Sequence, residues 1–252
     1  MNDLHAYQRL GVGYSTVRGE DPRIAQRIWA ALGDAQTVVN VGAGTGSYEP
    51  RDREVTAVEP SAEMRAQRAR DAAPVIDGRA EALPFGDDTF DAAMAVLSDH
   101  HWEDRAAGLR ELRRVARGPV AVFTFDQSFF APSWIVGEYF PAWLDLPVAR
   151  FTPTDIAAAL GGVVDTQVVP IPHDCRDGFL HAYWRRPEAY LRPEVRAGIS
   201  LFHLIPPEDV ERGVAKLRAD LEDGTWARRH SDLIELNELD LGYRLIVSAP
   251  AP

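Results

Sequence analysis

Thr37-Val38-Val39-Asn40-Val41-Gly42-Ala43-Gly44-Thr45-Gly46 carries a β-branched apolar run straight into three closely spaced glycines. A short continuous run of this kind, bounded by turn residues, predicts a buried strand. The glycines let the chain turn sharply and approach a ligand where a Cβ would clash. Upstream, residues 21 to 33 predict a helix. Asp21 stands at the N-cap, Pro22 at the first helical position and Gly33 after the last periodic residue, while Ile24, Ile28 and Leu32 share one face.

The same alternation repeats downstream. Residues 55 to 58 predict a second strand followed by a helix over 62 to 72, and residues 75 to 77 a third strand. Residues 90 to 97 predict a fourth strand, followed by a helix over 103 to 117 and a fifth strand over 120 to 125. Beyond these come a helix over 154 to 160 ended by Gly161-Gly162, a strand over 163 to 171, a helix over 208 to 223 and an edge strand over 241 to 247. Strands alternating with helices predict an α/β fold: a mostly parallel seven-stranded sheet with helices on both faces and right-handed crossovers. Residues 127 to 150 hold Phe129, Phe130, Trp134, Tyr139, Phe140 and Trp143. These rings either pack the core of a cap or touch a substrate. The expected organisation is an N-terminal lid segment over 1–20, a main domain over 21–171 and 239–252, and an inserted cap over 172–238 to which 127–150 contributes.

At 252 residues and 46% hydrophobic composition, the chain can bury the core of one large α/β domain with a cap. A formal net charge of −11 repels phosphate backbones, so no nucleic-acid partner is expected. Arg110, Arg113, Arg114 and Arg117 are spaced like the wet face of a helix. The lone cysteine, Cys175, can form no disulfide within the chain and no cysteine-based metal site, and it suits a reducing cytoplasm. The opening MNDLHAYQRL has no long apolar run, so neither a signal peptide nor a membrane partner is expected. No feature marks a particular oligomeric state.

In an open α/β sheet, ligands bind beyond the carboxyl ends of the strands, near the switch point between the first and fourth strands. The dinucleotide fingerprint needs its third glycine where this chain has Ser47; Gly46 arrives one residue early. That spacing removes the phosphate cradle and leaves room for a thioether nucleoside. Glu59, ending the second strand, can accept both hydroxyls of a ribose and would repel the 2′-phosphate of NADP. In Gly78-Arg79-Ala80-Glu81-Ala82-Leu83-Pro84-Phe85, after the third strand, an acid can accept a hydrogen bond from an adenine amino group.

Between Asp34 and Asp126 the segments VVNVGAGTGSYEP, VTAVEPSAEM, GRAEALPFGDDTFD and ELRRVARGPVAVFTFD, in that order, resemble the class I S-adenosylmethionine (SAM)-dependent methyltransferases. The similarity is to the branch that includes the ubiquinone and menaquinone enzymes, often called type 11. The resemblance implies a Rossmann-like class I methyltransferase fold, S-adenosyl-L-methionine as cofactor, and methyl transfer to O, N or C of a small apolar or aromatic acceptor. Carried over by position, it puts Gly42, Ala43, Gly44 and Gly46 beside the methionine part and Glu59 on the ribose. Pro60, Met64, Ala80 and Glu81 fall near the adenine, and Leu97 beside the cofactor. Tyr14 and Arg18 would close over the carboxylate, although Arg18 is equally a candidate surface charge. One departure is Asn40, where the family usually has Asp or Glu. Its carbonyl can still accept a hydrogen bond from the SAM amino group, but the charge attraction is lost.

Ser98-Asp99-His100-His101-Trp102 follows the fourth strand at the site's mouth. The two adjacent histidines are expected to face different ways. Either one of them, oriented by Asp99, is a general base, or the loop only shapes the pocket and caps the next helix. No third ligand for a His-His metal site is apparent, so no metal is expected. In the dense run from Pro172 to Arg185, His173 and Asp177 either face an acceptor pocket, which would make His173 a third catalytic candidate, or belong to a surface turn. The same signals leave two other functions open. One is an NAD-dependent oxidoreductase. The other is a non-catalytic SAM-binding homologue, which Asn40 keeps in play.

Overall fold

The computed structural model describes residues 18–146 and 151–250. Helix α1 (Pro22–Ala31) starts as its sequence dictates, with the Asp21 side chain accepting the Arg23 N–H and Pro22 in the first turn. Strand β1 (Thr37–Val41), β2 (Glu54–Val58), the short helix α2 (Ala62–Ala66), β3 (Val75–Ile76), β4 (Ala92–Val96), α3 (Arg105–Val115) and β5 (Val120–Phe125) follow. The chain continues through α4 (Pro153–Leu160), β6 (Val163–Val168), β7 (Ile171–Pro172), α5 (Pro193–Ala197), α6 (Pro207–Glu222), α7 (Thr225–Arg229), α8 (Ser231–Ile234), β8 (Glu238–Leu239) and β9 (Tyr243–Ala249). Seven strands form one sheet in the order β3-β2-β1-β4-β5-β9-β6. The first five run parallel, and β9 is antiparallel to both β5 and β6.

Both sheet faces are covered, which explains the continuous apolar strands. Val38, Met94, Ala121 and Leu245 point to the face packed by Ile24 and Ile28 of α1. Their neighbours Val39, Ala95, Val122 and Ile246 point to the other face, where Leu109 and Leu112 of α3 and Ile156 of α4 close the core. The segment between β7 and β8 packs on the α1 face. There Trp134 meets Tyr139, Tyr190 and Trp226 edge to face, with ring centroids 5.4–5.8 Å apart. Most rings of residues 127–146 are therefore core residues.

Several expectations change. The strand over 241–247 was expected at the sheet edge, but β9 lies inside the sheet and β6 is the edge. The cause is composition: β9 buries Leu245 and Ile246 on opposite faces, while β6 exposes Asp165, Thr166 and Gln167. The strand expected over 163–171 stops at Val168, and Ile171–Pro172 pairs separately with β8. Helix α2 ends at Ala66 instead of 72 because Arg68 turns inward, donating to Glu49 and to the carbonyls of Gly44 and Ala73. Arg113 and Arg114 are half-buried instead of solvated: Arg113 donates to the Gly118 carbonyl at 2.6 Å, and Arg114 pairs with Glu111 at 2.6 Å and Asp87 at 2.8 Å. Among the described residues, no helix is long and apolar enough to cross a membrane.

Candidate active site

Strand β1 lies between β2 and β4, so the loops leaving β1 and β4 part on opposite sides of the switch point. The Gly42 and Ala43 N–H groups both donate to the Val58 carbonyl, at 2.9 and 3.1 Å, and curl the glycine loop over the end of β2. Gly42 and Gly44 are left-handed, at φ +69° and +52°. At Gly42 a Cβ would collide with Ser98, whereas at Gly44 it would meet only open space.

Glu59 closes on this loop. Its Oε2 accepts the Gly44 N–H and its Oε1 the Ser61 N–H, each at 2.8 Å. Burial pushes the carboxyl above its usual range, against the two N–H groups and the cations Arg65 and Arg68, which favour the ionised form. Each oxygen keeps a lone pair for a further donor. Beside the loop opens a cavity of about 1120 Å³, counted out to its open mouth. Asn40, Gly42, Ala43 and Gly44 form one wall, Glu59, Pro60 and Met64 a second, and Ala80, Glu81 and Leu97 a third, with Arg18 at the rim. Gly46 does not line it; that glycine turns toward Arg68 and Glu49. Glu81 also accepts the Glu103 N–H at 2.7 Å and the Asp104 N–H at 3.2 Å, so it ties the adenine-side segment to the start of α3.

Asn40 is buried. Its Nδ2 donates to Glu49 Oε1 at 3.1 Å, and Glu49 is held by Arg68 at 2.8 Å. Its Oδ1 has no partner among the described residues. A buried carbonyl oxygen on the cavity wall, with its amide fixed by Glu49, is an unmet acceptor suited to an ammonium group. The Asn40 oxygen, the open space at Gly44 and the Glu59 carboxylate together fit the donors of SAM.

A second cavity of about 1010 Å³, likewise counted to its mouth, shares Arg18, Leu97 and His101 with the first. Leu97 sits left-handed at φ +48°, an uncommon conformation for a branched residue and of the kind that clusters at functional sites. The expectation that the histidines diverge is corrected. A tight turn over Asp99–His101 brings the rings to 3.7 Å between centroids, and both line the second cavity. Desolvation first, then His100, Arg18 and Arg105, hold the His101 imidazole well below its usual range. Asp99 does not orient either ring: its buried carboxylate accepts from the Arg105 guanidinium and the Thr124 hydroxyl. His173 is corrected as well. Its N–H donates to the Asn237 carbonyl at 2.9 Å beside the β7–β8 ribbon, and it lines neither cavity.

Arg18 is no plain surface charge. Its Nε donates to Asp177 Oδ1 at 2.6 Å, and the Tyr48 hydroxyl donates to Asp177 Oδ2 at 3.0 Å. Asp177 is buried in this pairing, so of the two residues expected to face an acceptor it is the one drawn inward, onto Arg18. Tyr14 lies outside the described residues. Sequence reading missed Tyr48, which is left-handed at φ +67°, and the wall residues Phe125 and Tyr243; within the run from Pro172 to Arg185 it favoured His173 over Phe179 and His181, which do line the second cavity. Among the described residues there is no cluster of three or more His, Cys, Asp or Glu that could hold a metal ion.

A glycine loop without the pyrophosphate glycine, closed by a strand-end acid, defines a nucleoside site on a Rossmann-like sheet. A methyltransferase-domain family model matches residues 39–121. The crystal structure of a protein from Anabaena variabilis, described as a candidate methyltransferase from an antibiotic biosynthesis pathway, is 34% identical with a TM-score of 0.84, covering 92% of this chain and 98% of that one. The chloroplast 2-methyl-6-phytyl-1,4-hydroquinone methyltransferase 2 of Oryza sativa is 32% identical over 119 residues, 39% of this chain and 34% of that protein. The malonyl-[acyl-carrier protein] O-methyltransferase of Erwinia billingiae is 32% identical over 139 residues, 53% of this chain and 55% of that protein. The chain thus spans between about a third and just over half of these curated relatives. It belongs to the class I SAM-dependent methyltransferases, whose cofactor is S-adenosyl-L-methionine.

Proposed function

We propose that this protein methylates a small apolar or aromatic acceptor at O, N or C, with SAM in the first cavity and the acceptor in the second. The observation that carries this is the shared wall: Arg18, Leu97 and His101 border both spaces, one edged by Asn40 and Glu59, the other walled by Phe125, Phe130 and Phe179. The cofactor supplies a methyl group on a sulfonium, already activated for displacement. The protein's task is then alignment and exclusion of water. Glu59 holds the ribose hydroxyls. Met64, Pro60, Ala80 and Glu81 flank the adenine. Gly42 to Gly44 flank the methionine chain, the Asn40 oxygen accepts from its ammonium, and Arg18, with Tyr14, attracts its carboxylate.

His101 and His100 stand where an acceptor would lose a proton. A neutral His101 can take that proton on a ring nitrogen if the acceptor is a hydroxyl or an acidic carbon. The aromatic walls suit a ring such as that of the hydroquinone substrate named for the rice relative. Residues 1–20 serve as a lid, 21–171 with 239–252 as the SAM-binding domain, and 172–238 with 127–150 as the cap that shapes the acceptor space. The acidic charge and single cysteine support a cytoplasmic protein without a nucleic-acid or membrane partner.

Thermal denaturation with S-adenosylhomocysteine tests the reading. Ligand at about a hundred times Kd adds about 2.7 kcal/mol, a rise of roughly 5–10 °C for a chain of this size. No rise at millimolar ligand, or a rise with NADH in its place, would sink it.

A further inference from the structure

The second cavity contains one polar pair that the shared wall does not use. His181 and Tyr243 are both buried, with 1% and 3% of their surface exposed, and both line the cavity. His181 Nδ1 lies 3.3 Å from the Tyr243 hydroxyl. His181 Nε2 has no hydrogen-bond partner among the described residues. Around it the surfaces are aromatic: the Phe125 and Phe130 centroids lie 5.2 and 6.2 Å from the imidazole, and Phe179 packs 4.6 Å from the Tyr243 ring.

The proton positions follow from satisfaction. A buried phenol must donate its hydrogen, and the acceptor available to Tyr243 among the described residues is His181 Nδ1. A neutral imidazole whose Nδ1 accepts carries its own hydrogen on Nε2. Burial pushes the His181 imidazole down to about 3, so it stays uncharged at any physiological pH. The pair therefore offers a buried, uncharged N–H donor among the rings of Phe125, Phe130 and Phe179, in a cavity whose other polar side chains include Arg18, His100, His101, Gln127 and Ser200.

We propose that His181 Nε2–H is the recognition point for a lone-pair-bearing oxygen, such as a carbonyl, on a planar uncharged acceptor whose ring lies against Phe125 and Phe130. Tyr243 is the positioning residue that fixes the tautomer. A protonated amine has no lone pair for this donor, so the site selects oxygenated rings over cationic acceptors. The inference rests on reading the second cavity as the acceptor space.

The test uses two probes of one shape, 1-tetralone and tetralin, which differ by a carbonyl. Their binding is measured by calorimetry on the full chain saturated with S-adenosylhomocysteine. Wild type should prefer 1-tetralone by roughly five- to tenfold. His181→Phe should bind both equally while its S-adenosylhomocysteine affinity is kept. A second measurement needs no cavity variant. In wild-type protein labelled with ¹⁵N-histidine, the His181 signals should report the Nε2-protonated tautomer, and 1-tetralone but not tetralin should shift the Nε2–H resonance. Tyr243→Phe should bring in the Nδ1-protonated form. Equal affinities in wild type, a preference that survives His181→Phe, an Nδ1-protonated wild type, or no binding of either probe overturns the proposal. Loss of S-adenosylhomocysteine binding in wild type would instead strike the cofactor reading, so the two failures are distinct.

Discussion

Adding one methyl group at Gly42 and one at Gly44 separates the loop's structural duty from its binding duty. Both residues are left-handed, at φ +69° and +52°, so alanine at either is strained by about 1–2 kcal/mol. At Gly42 the new carbon would lie 2.5 Å from Ser98 Cβ and 2.7 Å from its Oγ. Ser98 cannot easily retreat, because its hydroxyl donates to the Val41 carbonyl at 2.9 Å. Overpacking of that kind adds about 1–3 kcal/mol. Gly42→Ala should therefore lose about 2–5 kcal/mol, a fall in Tm of roughly 4–20 °C at about 2–4 °C per kcal/mol. At Gly44 nothing lies within 4 Å, and the open space beside it is the first cavity. Gly44→Ala should lose only the strain, roughly 2–8 °C, yet forfeit most of the stabilisation by S-adenosylhomocysteine. Scanning fluorimetry with and without the ligand reads both effects. The reasoning fails if Gly44→Ala keeps the wild-type ligand shift, or if Gly42→Ala is no less stable than Gly44→Ala.

Three further outcomes are expected. His181, neutral in the fold down to about 3 but near 6.5 unfolded, contributes fully above pH 6.5, and that contribution is lost as pH falls toward 3. Urea denaturation should thus show wild type losing about 2 kcal/mol more than His181→Gln between pH 7 and pH 5; equal losses would count against this. Only the ionised Glu59 carboxylate can accept two ribose hydroxyls, and burial raises its pKa. S-adenosylhomocysteine affinity should therefore weaken on acidification, beginning above the ordinary carboxylate range, and calorimetry on Glu59→Gln should find that dependence gone along with most of the affinity. Glu49→Ala would leave the Arg68 guanidinium, whose side chain is 4% exposed, without its carboxylate. A loss of about 3–5 kcal/mol is expected in urea melts, and a loss below about 1 kcal/mol would mean water or the carbonyls already satisfy it.

The cofactor half of the molecule was legible because its signals are local. A strand, a glycine turn and a strand-end acid fall within Thr37 to Glu59, and parallel pairing brings Gly44 and Glu59 together automatically. The second cavity was not, because its walls come from Phe125, Phe179, His181 and Tyr243, which meet only through tertiary packing. Within the dense run from Pro172 to Arg185 the sequence favoured His173 over His181, yet a backbone bond to Asn237 holds His173 beside the β7–β8 ribbon, and it lines neither cavity. Periodicity extended α2 through residue 72 because it cannot register that Arg68 gains more from Glu49 and two carbonyls than from helix-surface water. The edge strand was misplaced although the clue was present: polar Asp165, Thr166 and Gln167 mark β6 as an edge more clearly than any residue of β9.

The order of strands also sets a timetable for a growing polypeptide. Strand β6 meets the sheet only through β9, which arrives after everything from Val169 to Gly242 has been made. Emerging from a ribosome, β1 to β5 can pair as they appear, while β6 must wait, unpaired and carrying exposed Val163 and Val168, for its distant neighbour. Contacts of such long sequence separation slow folding and expose sticky edges. A charge placed at Val163 or Val168 should therefore improve recovery of soluble protein more than it changes the finished molecule.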